Sequence, residues 1–94
     1  MIDGRHCTQK DLELLIKETN KIFEFLNKNS ENEEKNEELR CFLLFLRRFD
    51  EQIADTLQTE IIGFMNNNEK IKAAIEKHVN ELKQNVIIDI FEHQ

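Results

Sequence analysis

Apolar residues recur along most of this chain at steps of three and four, the spacing that lines one face of an α-helix. The first series is Leu12, Leu15, Ile16, Ile22, Phe23 and Leu26. Thr8-Gln9-Lys10-Asp11 stands before it and fits the Ser/Thr-x-x-Asp/Glu capping pattern. The spacing therefore predicts a first helix over 8–27, behind a loose N-terminus at 1–7. The second series is Leu39, Phe42, Leu46, Phe49, Ile53, Leu57, Ile61 and Phe64, which alternates at first as a coiled coil does. It predicts one long helix over 37–65. Asn66-Asn67-Asn68 is the stop, since Asn serves as C-cap and as N-cap. Ile71, Ala74, Ile75, His78, Val79, Leu82, Val86 and Ile90 then predict a third helix over 69–92.

Residues 28–36 carry no apolar side chain and admit two readings, a polar loop or a solvated helix extension that Ser30-x-x-Glu33 would cap. Antiparallel register favours the loop. Leu12, Ile16, Thr19, Phe23 and Leu26 can face Ile53, Phe49, Leu46, Phe42 and Leu39, with the turn between residues 32 and 33. A turn near residue 29 would set Ile22 to Leu26 against Asn32 to Asn36, which offer nothing apolar. In the second hairpin, Phe64, Ile61, Leu57, Ile53 and Phe49 face Ile71, Ala74, His78, Leu82 and Val86. The expected fold is all-α, an up-down-up three-helix antiparallel bundle or coiled coil with a long central helix.

A bundled helix needs an apolar stripe, and two runs here are girdles. Cys41 to Leu46 is apolar all round, and Val86 to Phe91 nearly so. In the expected register these runs lie beside each other. Phe42, Leu43, Phe45, Leu46, Phe49, Ile87, Ile88, Ile90 and Phe91 are therefore the candidate protein interface. The segment from Thr56 to Phe64 would have only the third helix for a neighbour, which a second chain would remedy. A dimer is the first expectation, and a helical partner protein the other.

Composition agrees with helix and narrows function. The chain has 94 residues, no proline, two glycines and no Trp or Tyr, and it is rich in Glu and Lys. Its net charge of −6 disfavours nucleic acid and anionic membrane surfaces. The longest apolar run is far too short to span a bilayer, and the opening residues lack a signal-peptide core. A cytoplasmic or nuclear protein is expected. Ile2-Asp3-Gly4-Arg5 resembles a protease-cleavage linker, so no function is expected of residues 1–6.

Candidate chemistry is thin. No P-loop, dinucleotide or nucleophile-elbow signature is present. Cys7 and Cys41 are expected as reduced thiols, Cys41 packed and Cys7 near a loose end, with a bridge between them the minor alternative. His78 lies on the inner stripe as a packed or boundary residue, and Glu81 is the carboxylate expected to orient it. Zinc spacing of the Cys-x-x-Cys type is absent. No cofactor or metal is expected, a site joining His6-Cys7 with Cys41 or His93 being the outlying alternative.

The residues thus point to a non-enzymatic protein–protein interaction module, a self-associating or complex-forming structural or adaptor subunit. The alternative is a small acidic regulator or inhibitor for a basic groove of an enzyme or nucleic-acid-binding protein. Its docking face would be Glu33, Glu34, Glu37, Glu38, Asp50, Asp55 and Glu60.

Overall fold

Each apolar stripe becomes a helix in the computed structural model, which describes residues 6–28, 33–65 and 67–93. Among the described residues four helices form: α1 (Gln9–Lys28), α2 (Glu33–Arg47), α3 (Glu51–Phe64) and α4 (Asn68–Glu92). The Thr8 box closes as expected. The Thr8 amide donates to Asp11 Oδ2 at 2.8 Å, and the Asp11 amide reaches Thr8 Oγ1 at 3.4 Å. Asn67 caps α4, its side-chain oxygen accepting from the Lys70 amide at 3.2 Å. Ser30 and Asn66 lie outside the described residues, as does Asn32 at the expected turn.

The long central helix of the three-helix expectation is broken in two. After Arg47 the chain tightens: the Phe49 amide donates to the Leu46 carbonyl at 2.9 Å, and Asp50 restarts the helix. The Asp50 carboxylate accepts from the Ile53 amide at 3.0 Å. A straight helix over 37–65 would run about 44 Å, well beyond the roughly 30 Å of a 20-residue helix such as α1. Its far half would then have a single neighbour. Folding back at Phe49 lays α3 against both α2 and α4, where Ile53, Ala54 and Leu57 are buried. Burying one such aliphatic side chain is worth about 1.5–3 kcal/mol, against about 0.5–1.5 for each helical hydrogen bond given up.

The four helices form a closed ring. Successive helices are neighbours, α1 also packs on α4, and the Cα atoms of the diagonal pairs stay more than 8 Å apart. Antiparallel contacts fix the directions. Cys7 meets Asp89 at one end of the α1–α4 pair, and Leu26 meets Asn68 at the other. Arg47 pairs with Asp55 across the α2–α3 turn. The expected juxtaposition of residues 43–46 with 89–92 is therefore overturned, because α2 and α4 stand at opposite corners. The α1 register also shifts, since Ile53 belongs to α3 and not to the helix beside α1. Near Asp50 the expected α3–α4 register holds: Phe49, Asp50, Leu82, Asn85 and Val86 line one small cavity.

Helix α2 begins at Glu33, so residues 33–36 are helix and not loop. Lys35 explains why. It occupies the stripe ahead of Leu39, Phe42, Leu46 and Phe49 and is only 2% exposed. Its four-carbon stem supplies apolar cover, while its ammonium reaches Asn68 Oδ1 at 3.1 Å. The early turn thus has a core-filling side chain after all.

The core also contains Leu15, Ile22, Leu26, Ile71, Ile75 and Val79. The two cysteines exchange their expected places: Cys7 is buried and Cys41 exposed, and both are free thiols. No described helix is long and apolar enough to cross a membrane.

Candidate functional site

Among the described residues, apolar side chains stay exposed between α2 and α3 and at the tip of α4, with Leu14, Ile16 and Met65 exposed elsewhere. The first is a groove of about 310 Å³ between α2 and α3, lined by Leu39, Leu43, Leu44, Ile61 and Ile62 with Arg40 and Arg47 among its polar edges. Leu44 is 56% exposed and Ile62 69%, while Leu43 and Ile61 lie half-buried beneath them. Helical spacing explains the arrangement. A helix with two neighbours buries a wide arc, so the girdle at Cys41–Leu46 divides three ways. Phe42 and Leu46 enter the core, Leu43 and Phe45 line its edge, and Cys41 and Leu44 face out.

The second feature is the tip of α4. Ile88 is 52% exposed and Phe91 70%, whereas Ile87 and Ile90 are half-buried. The candidate interface residues are therefore divided. Phe42, Leu46 and Phe49 fill this chain's own core, with Phe45 and Phe49 in edge contact at 5.2 Å between ring centroids. Leu43, Ile88 and Phe91 are left accessible at two separate places. Leu44 and Ile62 are the groove residues that stripe-reading passed over, because both fall off the stripes that define the core.

The acidic residues do not gather into one face. Glu34, Glu37 and Glu38 are exposed on α2, while the side chain of Glu33 lies outside what is described. Asp50 caps α3, Asp55 pairs with Arg47, and Glu60 bonds to His78. Arg47 also holds Glu51 at 3.3 Å.

His78 is buried, as its stripe position requires, but its partner is not Glu81. Glu60 reaches across from α3, with Oε2 2.9 Å from His78 Nε2. A polar cleft of about 280 Å³ lies alongside, lined by Asp50, Gln52, Thr56, His78, Glu81 and Asn85. It holds one imidazole and no Ser, Cys or Lys nucleophile among its lining residues.

At the far end, residues before α1 dock on α4. The Cys7 amide donates to Asp89 Oδ2 at 2.6 Å. His6 stacks on His93 with ring centroids 3.4 Å apart, and both imidazoles approach Asp89 Oδ1 at 3.7 Å. The Cys7 amide, followed by the two imidazoles, holds the Asp89 carboxyl below its ordinary range. Burial, with Asp89 and Asp11 close by, pushes the Cys7 thiol up and leaves it a poor nucleophile. The sequence offered His6-Cys7 with His93 only as an outlying metal alternative, and Asp89 did not stand out. Only a chain that returns α4 to the start of α1 brings them together.

A ring of four antiparallel helices with two exposed apolar sites defines the class of this molecule. It matches no family model, and no curated protein or solved structure resembles it significantly.

Proposed function

We propose that this chain is a non-enzymatic helical interaction module that self-associates, the groove between α2 and α3 being the surface that a second copy covers. The observation that carries this reading is the pair Leu44 and Ile62, exposed side by side above Leu43 and Ile61. Exposed apolar clusters on a small chain favour association, because covering them removes apolar area from water. Charge supports a second copy as the occupant. Arg40 and Arg47 line the groove, and Glu51 and Asp55 of α3 already offset the charge of Arg47 beside them, so the rim sets no strong field of one sign against its own copy. A two-fold interface sets one patch against the same patch and requires such compatibility. Ile88 and Phe91 at the tip of α4 are the contact left for a helical partner protein.

The acidic-regulator reading has less support. Three of its seven residues, Asp50, Asp55 and Glu60, already serve partners within the chain.

Light scattering over a dilution series tests the proposal. A dimer that Leu44→Glu or Ile62→Glu converts to monomer, with far-UV circular dichroism unchanged, is the expected result. A wild-type monomer across the series would overturn it.

A further inference from the structure

The cluster at the start of α1 and the end of α4 has the composition of a metal site. His6, Asp89 and His93 each present one donor atom, and these atoms lie within 4.8 Å of one another. Asp89 Oδ1 stands 3.7 Å from His6 Nδ1 and 3.7 Å from His93 Nε2. In a tetrahedral zinc shell, bonds of about 2.0–2.1 Å place donor atoms roughly 3.3–3.4 Å apart, so the two carboxylate–imidazole separations are already near that value, and rotating the exposed rings out of their stack turns both lone pairs toward a common ion. The carboxylate is already oriented. Its Oδ2 is held by the Cys7 amide at 2.6 Å, which leaves Oδ1 to face the imidazoles. Metal sites use this kind of outer-shell hydrogen bond to fix a ligand. The stacking of His6 on His93 holds both rings on the same side of Asp89.

We infer that His6, Asp89 and His93 bind one divalent transition-metal ion of the zinc class, clasping the segment before α1 to the end of α4. Two imidazoles and one carboxylate are borderline N/O donors, which suit Zn²⁺, Co²⁺, Ni²⁺ or Cu²⁺, whereas Ca²⁺ and Mg²⁺ take all-oxygen shells. Three protein ligands leave a further position for water or for a donor from another molecule. His6 and His93 are both exposed, so an ion reaches the site without any opening of the core. The ion closes a contact between residues 83 or more positions apart in sequence and stabilises the native state by mass action. The inference does not depend on self-association.

Calorimetric titration of the full chain, carrying no polyhistidine tag, with Zn²⁺ tests it, with Co²⁺ absorption spectra beside it. One ion per chain is expected. Affinity should fall in His6→Gln and in His93→Gln by more than the roughly 10–100-fold that losing an outer-shell partner costs. It should be unchanged in Cys41→Ser, which removes the exposed thiol. Asp89→Asn is a further variant, since it keeps an acceptor for the Cys7 amide while removing the charged ligand. The His6 side chain is 54% exposed and that of His93 39%, so the metal-free melting temperature of their variants should lie close to that of the wild type. Absence of Zn²⁺ uptake by the wild type overturns the site. So does uptake that survives the His6→Gln, His93→Gln double variant, or that disappears only with Cys41→Ser.

Discussion

The ammonium of Lys35 lies 3.1 Å from the side-chain oxygen of Asn68, and the side-chain Nδ2 of the same Asn68 donates to the Leu26 carbonyl at 3.3 Å. One asparagine at the start of α4 thus ties the start of α2 to the end of α1. Lysine is almost never this buried unless paired, and here most of what it contributes is its stem.

Substitutions at position 35 separate stem from charge. Lys35→Ala should destabilise the fold by about 2 kcal/mol, because it leaves a cavity between α1, α2 and α4. Lys35→Met restores the volume and should cost under about 1 kcal/mol. Urea denaturation followed by circular dichroism measures both. Equal losses in the two variants would show that the ammonium, and not the stem, is what the core requires.

Asp50 decides where the central stripe folds back. Asp50→Ala removes the acceptor for the Ile53 amide and should cost about 1 kcal/mol. Asp50→Asn and Asp50→Ser keep an acceptor and should lie within about 0.5 kcal/mol of the wild type. The same denaturation experiment checks the order. If Asp50→Ala matched Asp50→Asn, the break would owe nothing to the cap.

Met65 has a φ of 57°, a region that L side chains seldom enter. Its neighbours close a tight turn, with the Asn67 amide donating to the Phe64 carbonyl at 3.1 Å. Glycine adopts that conformation freely, and Met65 is exposed, so little packing is lost with its side chain. Met65→Gly should therefore raise stability by about 0.5–1 kcal/mol, read as an increase in melting temperature of roughly 2–8 °C. A fall would mean that Met65 contributes through contacts outweighing its backbone strain.

The docking of residues 6 and 7 should depend on pH through Asp89. Its carboxyl is held below the ordinary range, mainly by the Cys7 amide and then by His6 and His93. A lowered folded-state pKa adds stability that is complete above the unfolded value, about 3.9, and is lost as pH falls through the lowered value. The Cys7 amide resonance, followed by NMR from about pH 5 downward, should hold steady at first and then move below about pH 4. Asp89→Asn should abolish that transition. A transition that persists in Asp89→Asn would assign it to another carboxylate, Asp11 being the next nearest to Cys7.

How far the fold could be read from the sequence varies along the chain, for reasons visible in particular residues. Stripes and caps are local, so α1, the Thr8 box and the start of α4 at Asn67-Asn68 were legible. The break at Arg48–Asp50 had a local signal as well. Arg47-Arg48 followed by Asp50-Glu51 places basic residues at a helix end and acidic ones at a helix start, as the helix dipole prefers. An unbroken apolar repeat outweighed that signal, because Phe49 is buried whether the chain turns there or runs straight on. Lys35 was illegible for a different reason. Its charge marks it as solvent-facing, and partners brought by the tertiary fold, Asn68 among them, make a buried ammonium tolerable.

By itself, then, the sequence determined the helical state and most of the core, from Leu15 to Val86, since each follows from periodicity within a few turns, although Ile16, expected to face inward, is exposed. Tertiary structure alone decided how many helices there are, which girdle residues become surface, and that His6, Asp89 and His93 meet. Those outcomes depend on contacts between residues far apart in the chain. Their free energies compare one whole arrangement of helices with another, and no local window of the sequence contains that comparison.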